Sequence, residues 1–286
     1  MNRQWKLNLG LLILIALLVL LAYLRPGIEP PKPVVTISDL DLATVRQLRI
    51  EQPGKPDIVL QQVNGEWRIL QPLQAQADLF RVNEVLRVAH SQSLNQLPFQ
   101  ASTDAGKFGL ESPKAIVHFD KLELKFGDTS PINQQQYLLV DNTLHLVSAN
   151  TLWSVNRPAN DYIERRLLKQ KTAPDLIRFA DGNALQLVNG SWHLQKTIPT
   201  LTSDALTQIV NEWRYATALR AAPKKSATGL GKFQLRFPQP QGKAETVDID
   251  IVAYAPDLIL YRRDEGLLYY FPADTIRRLV PSAERP

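Results

Sequence analysis

Hydrophobic positions follow one another without a break near the N-terminus. From Leu7 to Leu24 the chain has one polar side chain, Asn8, and no charged one. At about 1.5 Å of rise per residue a helix of this length spans roughly 27 Å, close to the thickness of the bilayer hydrocarbon core. A buried core helix would keep a polar stripe, so the run predicts a transmembrane anchor at residues 1–24, with the membrane contacted through residues 7–24.

The flanks of this run predict how the anchor is processed and oriented. Residues 23–25 (Tyr-Leu-Arg) stand where a signal peptidase needs small residues, and the run exceeds the usual signal-peptide length, which indicates an uncleaved anchor. Arg3, Lys6 and the α-amino group precede the run, whereas Arg25 and Lys32 follow it. This narrow excess of positive charge predicts a cytoplasmic N-terminus, a single pass through the inner (cytoplasmic) membrane, and a periplasmic or otherwise extracytoplasmic body.

The pattern changes from continuous to alternating after a proline-rich segment. Residues 25–40 begin with "RPGIEPPKPVV", which predicts an extended stalk. Beyond it, "VNGEWRILQP" (63–72) and "VNGSWHLQKT" (188–197) are nearly the same phrase. Each has an Asn-Gly pair between alternating hydrophobic runs, typical of a tight hairpin turn, and each copy predicts a three-stranded meander.

A helix with one apolar face is predicted after each meander. The first face contains Leu79, Val82, Val85, Leu86 and Ala89, and the second contains Leu206, Ile209, Val210, Trp213 and Ala216. Asp78 and Ser203 are the predicted N-caps, because their side-chain oxygens can accept hydrogen bonds from the first free backbone N–H groups. Further strands and a short helix follow in both copies, with Asn150-Thr151 and Asp274-Thr275 at matching positions.

These patterns predict an α+β fold, in which the N-terminal transmembrane helix is followed by two tandem, diverged α+β repeats. Each repeat is an antiparallel meander packed with helices, at residues 41–170 and 171–286. Recurrence at equivalent positions favours a core role for the two tryptophans over a stacking platform for a ligand. The structural markers of the repeat are Asn64, Gly65, Trp67, Asn189, Gly190 and Trp192.

Composition limits the classes of function that the chain can have. Hydrophobic residues make up 44% of the 286 residues and charged residues 21%, as in folded proteins. There is no cysteine, which excludes disulfides, thiolate catalysis and cysteine metal sites. The net charge of +5 is scattered along the chain rather than clustered, so we expect no nucleic-acid partner.

Residue types that could carry chemistry are present without the spacing that chemistry needs. His90, His118, His145 and His193 form no paired metal motif, and "GLGK" (229–232) fails the phosphate-loop pattern. The carboxylate pairs in "DLD" (39–41) and "DID" (248–250) are interpreted as solvated faces. We therefore expect no catalytic, cofactor-binding or metal-binding residues and no enzymatic activity, while the identity of any ligand-binding residues stays open.

Several of these segments occur in an order that resembles a known family. They are Trp67 after its hairpin, Ala77-Asp78, Phe108-Gly109-Leu110 with Pro113, and Arg165-Arg166. The chain resembles the membrane-anchored bacterial proteins of domain-of-unknown-function family 4340, over residues 40–170 and more loosely beyond. The resemblance implies a helix bearing the two arginines. It also implies an extracytoplasmic accessory role, because some members look like companions of ABC-type export systems.

Two functions follow as hypotheses. The first is a membrane-anchored extracytoplasmic accessory or interaction protein without catalytic activity, serving a membrane or envelope protein partner such as an ABC-type export complex. The alternative is a protein that binds or hydrolyses envelope glycan or lipid in a cleft between the two repeats. A closed apolar junction between the repeats would favour the first hypothesis, and an open groove with convergent polar groups the second.

Overall fold

The computed structural model describes residues 3–24, 35–170, 172–239 and 242–281, and it divides the chain into two compact units, Met1–Val35 and Thr36–Pro286. The first unit contains helix α1 (Arg3–Leu24), whose described side chains, at residues 4–5 and 8–20, are all exposed. Within the ranges that the structure describes, no helix is long and apolar enough to cross a membrane. Most of the predicted stalk, residues 25–34, lies outside the described residues.

The second unit, the body, begins with a nine-stranded antiparallel sheet. In sheet order its strands run β5-β4-β3-β2-β8-β9-β10-β11-β7. Their bounds are β2 (Gln47–Glu51), β3 (Ile58–Val63), β4 (Glu66–Gln71), β5 (Ala75–Gln76), β7 (Asn95–Pro98), β8 (Ala115–Phe119), β9 (Leu122–Thr129), β10 (Gln136–Val140) and β11 (Thr143–Val147). The short strands β1 (Val35–Thr36) and β6 (Gln92–Ser93) form a separate two-stranded sheet.

An eight-stranded antiparallel sheet forms the other half of the body. Its order is β14-β13-β12-β16-β17-β18-β19-β15. The strands are β12 (Leu176–Arg178), β13 (Ala184–Val188), β14 (Ser191–Leu194), β15 (Arg220–Pro223), β16 (Gly231–Phe237), β17 (Glu245–Ala253), β18 (Asp257–Arg262) and β19 (Leu267–Pro272). Without β5, the nine-stranded sheet has the same order of chain connections as this sheet.

Short helices accompany both sheets. They are α2 (Leu79–Val88), α3 (Ala101–Asp104), α4 (Asn150–Val155), a 3₁₀ turn (Ala159–Tyr162), α5 (Ser203–Tyr215) and α6 (Thr275–Leu279). The α+β class is therefore confirmed, with antiparallel sheet as the larger part. The short terminal helices α4 and α6 begin at the predicted positions, around Asn150-Thr151 and Asp274-Thr275, without a side-chain N-cap bond.

The two meanders turn in the same way. Asn64 and Asn189 have φ of 53° and 49°, and Gly65 and Gly190 both have φ of 82°. Positive φ at two successive positions is what a type I′ turn needs, and Asn and Gly tolerate it better than other residues.

The two long helices begin at different kinds of cap. Asp78 caps α2 as predicted, because its Oδ1 accepts hydrogen bonds from the N–H groups of Phe80 and Arg81. The prediction that Ser203 is the N-cap of α5 was wrong. Thr202 caps α5 instead, and its Oγ1 accepts from Ala205 N at 3.2 Å. Leu79 was also assigned wrongly, because this first residue of α2 points to solvent.

One continuous hydrophobic cluster holds the body together. Buried residues from both sheets, from α2 and from α5 belong to it. Trp67 is 8% exposed within this cluster, whereas Trp192 is only half-buried and packs at its margin. The two tryptophans therefore contribute unequally to the hydrophobic core.

A close backbone approach explains the Phe108-Gly109-Leu110 segment. Asp128 N donates to Phe108 O at 2.7 Å, which draws the segment against β9. A Cβ atom added at Gly127 would overlap that same carbonyl oxygen, and Gly109 has φ of +70°. Only glycine fits at Gly127 without displacing the backbone.

The two meanders end differently at their sheet edges. In the nine-stranded sheet β5 pairs with β4, through Gln76 opposite Arg68 and Ala75 opposite Ile69. In the eight-stranded sheet β14 is itself the edge strand. The second sheet therefore presents an open backbone edge where the first has a covering strand.

We predict that Trp67→Ala lowers the free energy of unfolding by about 3–5 kcal/mol, because it leaves a cavity in the core. Trp192→Ala should cost less, because its side chain is half-buried. Urea denaturation followed by circular dichroism measures both. Trp153→Ala is the control, since Trp153 is 72% exposed on α4. Equal losses in all three variants would contradict the assignment of Trp67 to the core.

We predict that Gly127→Ala destabilises the protein by about 2 kcal/mol or more, since the new methyl group forces a backbone shift. Thermal unfolding of the variant gives the change in stability. Gly54→Ala serves as the comparison, because Gly54, unlike Gly127, has a positive φ (+70°) and no atom lies within 4 Å of the added Cβ. If Gly54→Ala were the more damaging change, φ strain at Gly54 would cost more stability than close packing at Gly127, and the prediction would be contradicted.

Candidate functional site

The two halves of the body are joined by an extended stretch of chain, Tyr162–Leu167, which we call the connecting segment. On one side, Asp78 N donates to Tyr162 O at 2.8 Å and Glu164 N donates to Gln76 O at 2.9 Å. On the other side, Ala218 N donates to Arg165 O and Leu167 N donates to Ala216 O, both at 2.9 Å. Consecutive parts of one segment thus pair with the backbone of both halves.

This segment brings together motif residues that are far apart in sequence. Ala77 forms a β-bridge with Ile163, next to the Asp78 cap of α2. Arg165 Nε lies 3.6 Å from Asp78 Oδ2. The expected helix around Arg165-Arg166 was wrong. Both residues lie in the extended connecting segment, because its backbone groups bond to neighbouring strands rather than within a helical turn.

A groove of about 300 Å³ opens on one side of this junction, and we call it the arginine groove. Three guanidinium groups reach it from α2, the connecting segment and β15. Its full lining is Arg81, Pro158, Asn160, Asp161, Arg165, Leu219, Arg220, Ala221 and Ala222. Side chains from both halves of the body therefore meet in one solvent-accessible site.

A second groove of about 310 Å³, the mixed-charge groove, also lies between the halves. β4, β5 and the residues around them contribute Arg68, Gln74, Ala75 and Gln76, and the second half contributes Lys169, Asp264, Glu265 and Leu267. Six of these eight side chains are polar. The junction therefore has open, polar grooves at its surface in addition to the hydrophobic cluster that the two halves share.

Behind the mixed-charge groove lies a buried ionic cluster centred on Arg262. Its guanidinium is 2% exposed and donates to both carboxylate oxygens of Asp264, at 2.9 and 2.6 Å, and to Leu167 O at 2.5 Å. Glu265 Oε2 accepts from Lys169 Nζ at 2.8 Å and from the Tyr269 hydroxyl at 2.5 Å. The bond to Leu167 ties this cluster to the connecting segment.

The cluster changes how its members titrate. Burial lowers the pKa of Lys169, although the charge of Glu265 acts in the other direction. Burial and then the neighbouring Glu265 carboxylate raise the pKa of the Tyr269 hydroxyl. Burial would raise the pKa of Asp264, but the hydrogen bonds and charge of Arg262 outweigh it and lower this pKa. Groups with shifted pKa values beside a groove are typical of functional sites and also of structural ion-pair networks.

A third cavity, of about 400 Å³, lies between α5 and α6, and we call it the α5–α6 cleft. Its inner wall is apolar, with Phe271 2% exposed and Leu279 fully buried. Its rim is polar and includes Glu212 and Arg278, whose Oε2 and Nη1 atoms are 3.4 Å apart. Leu219 lines both this cleft and the arginine groove.

The four histidines are placed separately, and His90, His118 and His145 each contact a hydrogen-bonding partner. His90 Nε2 lies 2.6 Å from Leu40 O, and His118 Nε2 lies 2.9 Å from Glu51 Oε1. His145 is buried against Ser93 Oγ, and burial lowers its pKa. His193 is exposed on β14. In the described part of the chain, no group of three or more His, Asp or Glu residues could hold a metal ion.

The sequence suggested that both carboxylates of residues 248–250 are solvated, but only one of them is. Asp248 is partly exposed beside Lys232, but Asp250 is only 5% exposed and accepts from Arg263 Nη2 at 2.8 Å. Gly229 lies against the Cβ of Asp250, so the loop ahead of β16 covers this carboxylate.

Sequence reasoning missed the charged residues of the junction, and one of them had a visible signal. Alternate positions of β18 are occupied by Leu258, Leu260 and Arg262, so Arg262 lies on the buried face of the strand. A charged residue at a core position indicates a buried partner. Arg81, Arg165 and Arg220 carried no such signal, because their convergence depends on pairing between distant segments.

We predict that Asp264→Asn lowers the free energy of unfolding at neutral pH by about 1 kcal/mol, a modest effect because the carboxylate is half exposed. The folded pKa of Asp264 lies below the unfolded value, so its stabilisation is present above about pH 4 and is lost as the pH falls through the folded pKa. Between about pH 5 and pH 2 the wild-type protein should therefore lose more stability than the variant. Denaturation at a series of pH values measures this difference.

The matched control for that experiment is Asp39→Asn, in an exposed loop. Its acid unfolding curve should parallel that of the wild-type protein. If Asp264→Asn also ran parallel to wild type, Arg262 would not be holding a charged Asp264 in the folded state.

Comparison with known proteins gave one finding that bears on identity. A family model described as Domain of unknown function (DUF4340) matches residues 67–232. The match begins at Trp67, includes the connecting segment and ends on β16, so it extends further into the second half than the resemblance in the sequence suggested. No curated protein and no solved structure matches the chain. Because the family model covers more than half of its residues, this chain belongs to the DUF4340 family.

Proposed function

We propose that the protein is a membrane-anchored extracytoplasmic accessory protein that presents its folded body to an envelope partner and performs no catalysis. The observation that carries this proposal is the exposure of α1. From Leu9 to Leu20 its large apolar side chains are 46–67% exposed. So large an apolar surface needs an apolar environment, and with the uncharged sequence Leu7–Leu24 a lipid bilayer provides one.

The proposed orientation places the body outside the cytoplasm. It depends on Arg3 and Lys6 on one side of the apolar run and on Arg25 and Lys32 on the other. The side chains of these residues lie outside the described residues, so the sequence alone supports this part of the proposal.

We also propose that the body consists of two diverged copies of one unit. The common order of strands, the matching Asn-Gly turns and the equivalent helices support this interpretation. The α5–α6 cleft has a smaller counterpart of about 260 Å³ between α2 and α4. Glu84, Arg87 and Thr151 line the counterpart, and Gln208, Asn211 and Thr275 line the cleft, each 124 positions later (208 − 84, 211 − 87 and 275 − 151).

A second candidate function is the binding of envelope material at the junction. The open arginine and mixed-charge grooves favour it, because convergent polar groups in a concave site are what ligand recognition needs. The buried charges behind the grooves are held in ion pairs by one another, which is consistent with binding rather than catalysis. Extraction and mass spectrometry of small molecules that co-purify with the protein from native membranes would test this candidate.

We predict that the full-length protein sediments with membranes and resists extraction by high salt and by alkaline carbonate. Replacing both Leu12 and Leu18 by Arg should release it, because each charge at the centre of a spanning helix costs about 2.5–3.5 kcal/mol. Ile132→Arg is the control, since Ile132 is 92% exposed in the body and tolerates charge. Wild-type protein in the soluble fraction would contradict the anchor.

The accessory role has its own measurement. Photo-crosslinking residues placed at Trp153 and Ile132, both strongly exposed, would report neighbours of the body in living cells. A reproducible membrane-protein adduct is expected from a partner-bound surface. Absence of adducts from a set of positions covering the whole body, in protein that is anchored and abundant, would exclude a stable partner.

A further inference from the structure

The arginine groove is the most positively charged of the large cavities. Its lining has three arginines and one aspartate, a formal charge of 3 − 1 = +2. The mixed-charge groove has Arg68 and Lys169 against two carboxylates, 2 − 2 = 0, and the α5–α6 cleft has Arg278 against Glu212, 1 − 1 = 0. Arg81 is paired with Glu84 and Arg165 lies near Asp78, whereas no ion pair joins Arg220 to a carboxylate among the described residues. An anion is therefore favoured beside Arg220.

The three guanidinium groups are held in place before any ligand arrives. Arg81 Nη1 lies 2.7 Å from Glu84 Oε2, and Arg165 Nε lies 3.6 Å from Asp78 Oδ2. Arg220 stacks on Tyr270, with its guanidinium carbon 3.3 Å from the ring centroid. Each contact occupies one side of a group that carries several N–H donors in a fixed fork, so donors remain for a bound oxyanion.

An apolar compartment adjoins this positive groove. Leu219 lines the groove and also the α5–α6 cleft. Its side chain is 61% exposed, so the rest of the protein leaves most of it uncovered. Phe271 and Leu279 form the buried wall of the cleft, and Tyr215, 66% exposed, stands at its rim. A ligand that covered Leu219 would have an aliphatic part in the cleft and a charged part beside Arg220.

We propose that these two cavities form one site for an anionic amphiphile, with a phosphate-bearing head in the arginine groove and an aliphatic chain in the α5–α6 cleft. The inference rests on the second proposed function, ligand binding at the junction. A free phosphate would leave Leu219 and the cleft uncovered, and a neutral amphiphile would leave the Arg220 guanidinium without a counter-charge. Only a molecule with both parts satisfies both cavities.

The test uses the full-length protein in phosphatidylcholine nanodiscs, with empty nanodiscs as blank, and isothermal titration calorimetry. The probes are hexyl phosphate, inorganic phosphate and hexanol. Hexyl phosphate should bind at least about tenfold more tightly than inorganic phosphate, because burial of even a few methylene groups contributes that much. Hexanol should show no saturable binding.

Two substitutions separate the head site from the chain site. Arg220→Gln should weaken hexyl phosphate binding about tenfold or more, as the loss of a charge-assisted hydrogen bond does. Leu219→Ser should reduce hexyl phosphate to the affinity of inorganic phosphate and leave inorganic phosphate unchanged. Arg87→Gln is the matched control, because Arg87 lies on the same helix as Arg81 but lines a different cavity. Its affinities should equal those of the wild-type protein.

Four results would overturn the inference. Equal affinities for hexyl and inorganic phosphate would reduce the site to a free-anion site. Wild-type affinities in Arg220→Gln, with an unchanged unfolding temperature, would place binding elsewhere. Saturable binding of a neutral probe such as chitotriose, without binding of hexyl phosphate, would overturn the amphiphile and leave ligand binding at the junction standing. No saturable heat from any of these probes would count against both.

Discussion

The arrangement of the body depends on the backbone pairing of one extended segment. Between Tyr162 and Leu167 the chain bonds first to Gln76 and Asp78 and then to Ala216 and Ala218. An unpaired backbone group in the interior costs as much as a lost hydrogen bond, so the segment must lie between these two partners once the core closes. Two sheets that could each have folded around a separate core instead share one.

The same pairing creates the grooves. Arg165 lies at the arginine groove, and the β-bridges of Ile163 with Ala77 and of Arg166 with Thr217 fix the chain on both sides of it. Arg262 also holds the connecting segment from the interior, because it donates a hydrogen bond to Leu167 O and is itself paired with Asp264. Arg262 itself is buried and needs these partners, because its charge would otherwise be left uncompensated in the interior. The charged junction is thus rigid where it meets the core and polar where it meets solvent.

Local features of the fold could be predicted because they depend on neighbouring residues alone. Asn64-Gly65 and Asn189-Gly190 specify their turns through φ, and Asp78 specifies a helix start through one short side chain. Ser203 was a less secure choice, since Thr202 offers the same hydroxyl one position earlier. The extended state of Arg165 could not be derived, because strands more than fifty positions away in either direction determine it.

The candidate site was beyond sequence reasoning for a similar reason. Arg81, Arg165 and Arg220 are separated by 84 and 55 positions (165 − 81 and 220 − 165), and each alone is an ordinary surface arginine. Only Arg262 was in principle detectable, from the alternation of Leu258 and Leu260 before it. The clefts beside α2 and α5 were equally hidden, since the helical pattern predicts a buried face but not the gap that a second short helix leaves beside it.

The double pairing of Tyr162–Leu167 also limits how such a chain can evolve. In the duplication that we propose, each copy would normally stay separable and could later be lost or transferred to another protein. Here removal of one half would strip hydrogen-bond partners from the segment that remains and expose a new strand edge, which invites aggregation. The two halves are free to diverge in surface and in cavity, as the unequal clefts show, but they can be inherited only together.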